Sequence, residues 1–541
     1  MKQRYYSFDI FDTCLARLCG EPRNLFDILS KKVMESMECP DDEHLRQVFV
    51  TLRVESGQKE STLESIYALI SKRFPLPFPP EEMMALEETT EREMLVAILP
   101  TLRLVETARK KGQVLFISDM YLSSSFLQEK LTEFGFFKEG DKLFVSNEWN
   151  ARKNDGTLYR LIHEREGIPY RRWYHYGDND YSDFSIPRKL GIHVHKTKYD
   201  YLPYEKRWMK LPSYQYPWPS IMAGVSRAIR LQSYGPEAQN KFVCDISAPL
   251  MASFVFSVMD DASKRGIKRL FFCARDMHSY YLIAKRLSGH FPSLKLNYLF
   301  ISSEAIYNNA SHALSFFKQV GLASCDIPTA IVDTNTKGGS LPALNGMLTA
   351  AGFDAVSGYY ITGITSTDYS SQKKSHFHFN IYIPYTQSTG QTKATKIIGT
   401  RILYELVFCL NHHKKTIGYE PHGGLWRPIL TEDCEDILSF KNNDIRSMKK
   451  SNDKLLLEYV TALEKTGLVR YCSEIQNQLA LPTFIDFISY PPKIYLPYLN
   501  DFQLSRASFV GRLYKREHSI WKRGNIIYSL PSFFTNFITC K

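Results

Sequence analysis

Tyr5-Tyr6-Ser7-Phe8-Asp9-Ile10-Phe11-Asp12-Thr13 stands almost at the start of the chain. Tyr5 to Phe11 is a short apolar run carrying a carboxylate, which reads as a buried strand of a parallel sheet. Working outward, the stretch from about Glu21 to Arg109 holds several helical patterns, among them 24–29, 62–70 and 81–97, and no strand interrupts them. It is expected to be a helical insertion. After it the alternation is regular. Gln113 to Asp119, Lys142 to Ser146, Trp173 to Asp178 and His193 to His195 read as strands. Ser123 to Glu133, Thr157 to Glu166 and Tyr181 to Lys189 read as helices. Strand and helix alternating at this spacing imply an α/β unit, a parallel sheet with helices on both faces.

In such sheets ligands sit outside the carboxyl ends of the strands. Asp9, Ser118 with Asp119, and Asp178 fall at those ends, Lys153 lies in the loop after the third strand, and Asp183 follows Asp178 by five residues. This set suits phosphoryl chemistry: a carboxylate attacks phosphorus, Lys and Ser hold the transferring oxygens, and Mg²⁺ offsets the repulsion between Asp9 and an anionic substrate.

These residues resemble the four ordered motifs of the haloacid dehalogenase (HAD) superfamily of hydrolases. The motifs are Asp9-Ile10-Phe11-Asp12-Thr13, Ser118 after an apolar strand, Lys153 in Arg152-Lys153-Asn154-Asp155-Gly156, and Gly177-Asp178-Asn179-Asp180-Tyr181-Ser182-Asp183. The resemblance covers about residues 1–200, and the insertion, about 16–100, stands where that superfamily places a C1-type cap. It implies a Rossmann-like core. Asp9 would be the nucleophile, Ser118 the phosphoryl binder and Lys153 the neutralising cation. Mg²⁺ would be held by Asp9, the backbone carbonyl of Phe11, Asp178 and Asp183. One departure matters. Superfamily phosphatases usually carry a second Asp two positions after the nucleophile as general acid and base, and here that position is Phe11. The proton shuttle is thereby lost, and Asp12 or Asp119 is the expected substitute. The first motif is also similar to that of large bacterial hydrolases with C-terminal extensions, which often accompany surface-polysaccharide genes.

Residues 201–235, rich in Pro, Tyr and Trp, read as a semi-rigid linker. A second α/β domain is expected over 236–420: an apolar helix at 248–264, then strands at 268–276, 296–303, 330–334 and 357–362. Arg275, Asp276, Ser302, Asp333 and Lys337 sit at strand ends, and the Gly338-Gly339-Ser340 turn offers amides to an anion. This is a candidate phosphate or nucleotide-sugar pocket, with tight packing turns as the equal alternative. Residues 421–541 read as mostly helical and basic, with Lys515-Arg516 and Lys522-Arg523 around Trp521 as a candidate contact for anionic lipid or an acidic partner.

Composition narrows the classes. A chain of 541 residues exceeds one core, and roughly 150 residues per domain suggests about three domains. A hydrophobic share of 44% excludes a disordered chain, and 28 Gly with 26 Pro exclude a collagen-like one. The net charge of +11 is mild for this length and permits an anionic partner. No zinc-finger spacing or long basic tract signals nucleic acid. Ten scattered cysteines without a C-x-x-C pair read as reduced thiols, and cytoplasm is the expected location. No apolar stretch of about 18 residues is apparent, so no membrane span is expected. The reading is a Mg²⁺-dependent hydrolase of a phosphorylated small molecule, a phosphosugar being the favoured class. Two alternatives remain: a ligand-binding or scaffold protein impaired in turnover, and a two-domain glycan-assembly enzyme with group transfer in the second domain.

Overall fold

The structure, a computed structural model, describes residues 3–40, 42–212, 216–336, 340–364, 379–385, 415–431, 444–489 and 492–495. The chain divides into two compact units, Met1–Tyr234 with Ala462–Val469, and Gly235–Thr461 with Arg470–Lys541. Both are α/β.

The strands of the first unit are β1 (Tyr5–Asp9), β2 (Leu15–Arg17), β3 (Leu95–Ala97), β4 (Gln113–Ser118), β5 (Lys142–Val145), β6 (Trp173–Gly177) and β7 (His193–Lys196). Five of them form one sheet in the order β5-β4-β1-β6-β7, parallel throughout. β1 lies in the middle, covered on both faces, which is why its run is apolar without alternation. Phe8 stacks on Tyr176 and meets Phe116 from the opposite neighbour. Leu115, Ile117, Tyr159, Ile162 and Trp173 form the core on one face.

The insertion is a helical cap on a two-stranded stalk. β2 and β3 pair antiparallel, Leu15 with Ala97 and Arg17 with Leu95. Between them run helices Pro22–Ser36, Glu43–Lys59, Leu63–Ile70 and Pro80–Met94. Local chemistry starts each one. Pro22 and Pro80 occupy first-turn positions where no N–H is needed, while Asp42 and Thr62 accept the amides of Leu45 and Ser65. Inside the cap, Arg53 and Glu87 form a fully buried two-pronged ion pair, and Tyr67 donates to the same carboxylate.

The expected linker is instead structured. Residues 203–208 and 218–232 are helices, Pro203–Trp208 and Trp218–Gln232, and both belong to the first unit. Nearly every residue of the second is buried, and it packs against β2 and β3. Gly224 makes this possible, because a Cβ there would lie 2.3 Å from Gly20 N and 2.5 Å from the carbonyl carbon of Cys19. Both are backbone atoms that cannot swing away. Gly224→Ala is therefore expected to lower stability by about 1–3 kcal/mol, the usual cost of overpacking a filled interior, read as a drop in thermal midpoint. An unchanged midpoint would contradict this contact.

The second unit contains β8 (Arg269–Cys273), β9 (Lys295–Leu299), β10 (Thr329–Thr336), β11 (Ser357–Ile364) and β12 (Phe379–Tyr385) in one parallel sheet, ordered β12-β11-β10-β8-β9. A hairpin, β13 (Thr416–His422) with β14 (Leu425–Leu430), lies partly where a helical region was expected. Helix Asp444–Lys465 follows. By length and composition alone the continuous helix Glu237–Lys264 is apolar enough to cross a membrane, with a mean hydropathy of 1.8 over an 18-residue window, but 94% of that window is buried inside the protein. It serves this unit as a core helix. Lys337, Gly338, Gly339 and the basic pairs around Trp521 lie outside the described residues.

Candidate active site at the strand tips of the first unit

Asp9 closes β1 with Ile117 as its register partner on β4, so Ser118 stands one residue further on, buried at that strand's tip. On the other side Phe8 pairs with Tyr176, which carries the register to Gly177 and puts Asp178 just beyond β6. Asp183 returns through the wide helical turn Asp180–Ser185. Gly177 is required for that return, since a Cβ there would lie 2.4 Å from Asp183 Cβ. One oxygen each from Asp9, Asp178 and Asp183 lies within 4.8 Å of the others, a group that could hold a metal ion. Lys153 reaches into the same place: its Nζ is 2.5 Å from Asp9 Oδ1 and 2.6 Å from Asp183 Oδ1, with all three side chains almost wholly buried.

The electrostatics are uneven. Burial pushes the Asp9 carboxyl well up; Lys153 opposes that, while Asp183 and Asp178 reinforce it. Burial, then Asp12 and Asp183, pushes Asp178 up to about 6. Burial would do the same to Asp183, but Lys153 and His175 outweigh it and hold this carboxyl below the usual range. Burial would discharge Lys153, and Asp9 and Asp183 reverse that, so the ammonium stays charged. Three carboxylates thus face one cation. The deficit is what a hard divalent ion would fill, and oxygen donors are what such an ion takes. The turn after β1 is also suited to it. The carbonyl of Ile10 accepts from Cys14 and Leu15, and that of Leu15 from Asp12, while the carbonyl of Phe11 is left out of these bonds.

The two expected proton donors are otherwise engaged. Asp119 accepts the backbone amide of Lys153 through both oxygens, at 2.8 and 2.9 Å, and so clamps the Lys153 loop. Asp12, at a left-handed φ of 57°, lies 2.5 Å from Arg227 Nη1. Arg227 comes from helix Trp218–Gln232, whose Nε also donates to Tyr199 O. The Phe11 ring lies 4.2 Å below the Arg17 guanidinium. Arg17 pairs with Glu91, and both are buried. Arg17 Nη2, Glu91 Oε2 and the Tyr121 hydroxyl are buried atoms that meet no hydrogen-bond partner among the described residues. A buried polar atom left unmet is costly, and these three act on one another's charge beside the Phe11 position.

A further residue escaped the sequence. His175, wholly buried on β6, sits at the centre of a directional chain. The Trp173 indole N–H donates to Ser7 Oγ at 2.7 Å, and the Ser7 hydroxyl reaches His175 Nδ1 at 2.7 Å. The Asp183 carboxylate can only accept, so the His175 proton lies on Nε2 and Nδ1 accepts from the Ser7 hydroxyl. Nε2 then faces Asp183 Oδ1 at 3.2 Å and the Tyr159 hydroxyl at 3.0 Å. His175 is a positioning residue for Asp183. His175→Leu is expected to weaken Mg²⁺ binding by about 10–100-fold, the usual effect of losing an outer partner of a metal ligand, and His175→Gln, which keeps a donor, to restore part of it. Equal affinities for wild type and both variants in magnesium titration calorimetry would show that Lys153 alone orients Asp183.

No family model matches the chain, and no curated protein matches it. Among solved structures, the HAD-hydrolase YfnB from Bacillus subtilis bound to magnesium is 14% identical, over 38% of this chain and 90% of that one, at a TM-score of 0.28. The HAD family enzyme bt-2542 from Bacteroides thetaiotaomicron is 14% identical over 37% and 95% at 0.28. The 2-haloacid dehalogenase from Pseudomonas syringae pv. Tomato DC3000 is 12% identical over 41% and 97% at 0.27. In its sheet order, its stalked helical cap and the gathering of Asp9, Asp178, Asp183 and Lys153 at its strand tips, the first unit resembles haloacid dehalogenase superfamily hydrolases.

Proposed function

We propose that the first unit is a magnesium-dependent phosphohydrolase, acting in the cytoplasm on a phosphorylated small molecule of the phosphosugar class. The observation that carries this reading is the convergence of Asp9, Asp178 and Asp183 within 4.8 Å, with Lys153 bridging two of them. Asp9, Asp178, Asp183 and the Phe11 carbonyl would hold the ion, which when bound would offset the repulsion between Asp9 and the phosphate. Asp9 attacks phosphorus, the bond from phosphorus to the leaving oxygen breaks, and water later clears the aspartyl-phosphate. The Ser118 hydroxyl and Lys153 ammonium hold the phosphoryl oxygens as charge builds.

With Phe11 in place of an acid and Asp12 paired to Arg227, no side chain at that position is ready to protonate a departing alkoxide. Esters whose leaving group needs no proton are therefore the better substrates. In a panel with the full chain and Mg²⁺, p-nitrophenyl phosphate and acyl phosphates should turn over at least about a hundredfold faster than alkyl phosphates of similar size, the lower end of an acid's contribution. Equal rates would show that an acid is present. The same feature favours the second reading, a domain that binds a phosphorylated ligand without turning it over. Magnesium-dependent binding with no turnover of any ester would establish that reading.

A further inference from the structure

The second unit has its own crevice, and nothing in the chemistry of the first unit uses it. Counted from its first strand, the sheet runs second, first, third, fourth, fifth, so the chain leaves β8 in one direction and returns past it to β10. The strand order thus reverses between β8 and β10. In open parallel sheets that reversal parts the loops at the carboxyl ends and leaves a ligand crevice there. A cavity of about 440 Å³ lies at that point, lined by residues following β8 and β9 and by Ile331 and Asp333 within β10. That volume suits a small metabolite.

The lining is polar and charged. Arg275 follows β8 at a φ of 73°, a left-handed conformation that costs a non-glycine residue about 1–2 kcal/mol. The fold fixes it there: the Tyr298 hydroxyl accepts its backbone N–H at 2.8 Å, and Asp276 holds its Nε at 2.7 Å. Backbone strain retained at a pocket mouth is the kind that clusters at ligand clamps. Asp333 lies on β10, one residue past the pairing of Val332 with Phe272, and so stands beside Cys273. Burial pushes the Cys273 thiol up, and the Asp333 and Asp276 charges push it further, so both carboxylates bear on this one corner. Lys415 lines the cavity from the other side, in an ion pair with Glu304. Cations suit phosphate, and neighbouring carboxylates accept from vicinal sugar hydroxyls. Arg275 and Lys415 are the cations that this lining itself supplies to a phosphate.

We propose that the crevice between β8 and β10 binds a phosphorylated sugar, free or as the ribose diphosphate of a nucleotide, through Arg275, Lys415, Asp276 and Asp333. The test is calorimetry on the full chain in EDTA, which disables the magnesium-dependent site, with glucose 6-phosphate, UDP, ADP and inorganic phosphate as separate probes. At least one sugar-bearing probe should bind more tightly than inorganic phosphate, and which one binds tells a free sugar phosphate from a nucleotide. Arg275→Gly should weaken that binding at least about tenfold, a loss typical of a charge-assisted contact, with a thermal midpoint equal to or above wild type because glycine accepts the left-handed φ. Asp333→Asn should weaken the sugar-bearing probes while leaving inorganic phosphate unaffected, and Asp9→Asn should leave all affinities in EDTA as they were. The proposal is overturned if no sugar-bearing probe binds with a Kd of about 1 mM or tighter. It is overturned equally if Arg275→Gly and Asp333→Asn bind as wild type does, or if Asp9→Asn abolishes the binding.

Discussion

Asp9→Asn is expected to lower turnover of a phosphate ester by at least about 10⁴-fold while leaving the protein folded, because a residue that forms the covalent intermediate has no substitute. The amide keeps the size and shape of the side chain at the end of β1. It also removes a charge that burial, together with Asp183 and Asp178, disfavours at that point. The fold should therefore not weaken, even though Lys153 loses one of its two carboxylate partners. The measurement is turnover of p-nitrophenyl phosphate with Mg²⁺, beside the thermal midpoint of the same preparation. A variant that turns over like wild type would falsify the assignment of Asp9 as nucleophile. A variant that has lost turnover and also melts well below wild type would mean that Asp9 holds the sheet together through Lys153 rather than serving the reaction.

The contacts that were legible in the sequence are those that a strand tip settles locally. Asp9, Ser118 and Asp178 each end or follow a buried apolar strand, so the parallel order alone brings them together. Lys153 follows the tip of β5 after one short helical turn, Ser146–Trp149, and Asp183 lies in the turn beyond β6, so the same logic reached them. What stayed hidden depends on pairings across the fold. Arg227 meets Asp12 across 215 residues, and the Pro, Tyr and Trp before Trp218 drew attention away from the helix that carries it. His175 looks like one more member of an apolar strand, and its role appears only when Ser7 on the next strand and Tyr159 on a covering helix are set around it. The Arg17–Glu91 pair joins the stalk to the last cap helix and has no spacing that announces it. In the second unit the strands are legible because they too are buried apolar runs. The left-handed Arg275 that shapes the crevice is not, because a positive φ at a residue other than glycine leaves no mark in the sequence.

Lys153 bears on stability and on chemistry at once, and the two effects separate when magnesium is varied. Its ammonium is buried between Asp9 and Asp183 and is the cation that both carboxylates share. Lys153→Met keeps the length of the stem and removes the charge, leaving three carboxylates within 4.8 Å of one another with no ammonium among them. Breaking a buried ion pair by deleting one partner costs about 3–5 kcal/mol, so without magnesium the variant should melt far below wild type. A bound divalent ion supplies positive charge to the same oxygens. Added magnesium should therefore raise the midpoint of Lys153→Met more than that of wild type, since ligand binding to the native state adds to its stability. Turnover should not return with stability, because the ion cannot take over the hold that Lys153 has on the transferring phosphoryl oxygens. A variant with a wild-type midpoint in EDTA would show that Asp9 and Asp183 are not held by this lysine. Recovery of both midpoint and turnover on adding magnesium would reduce Lys153 to a structural counter-ion.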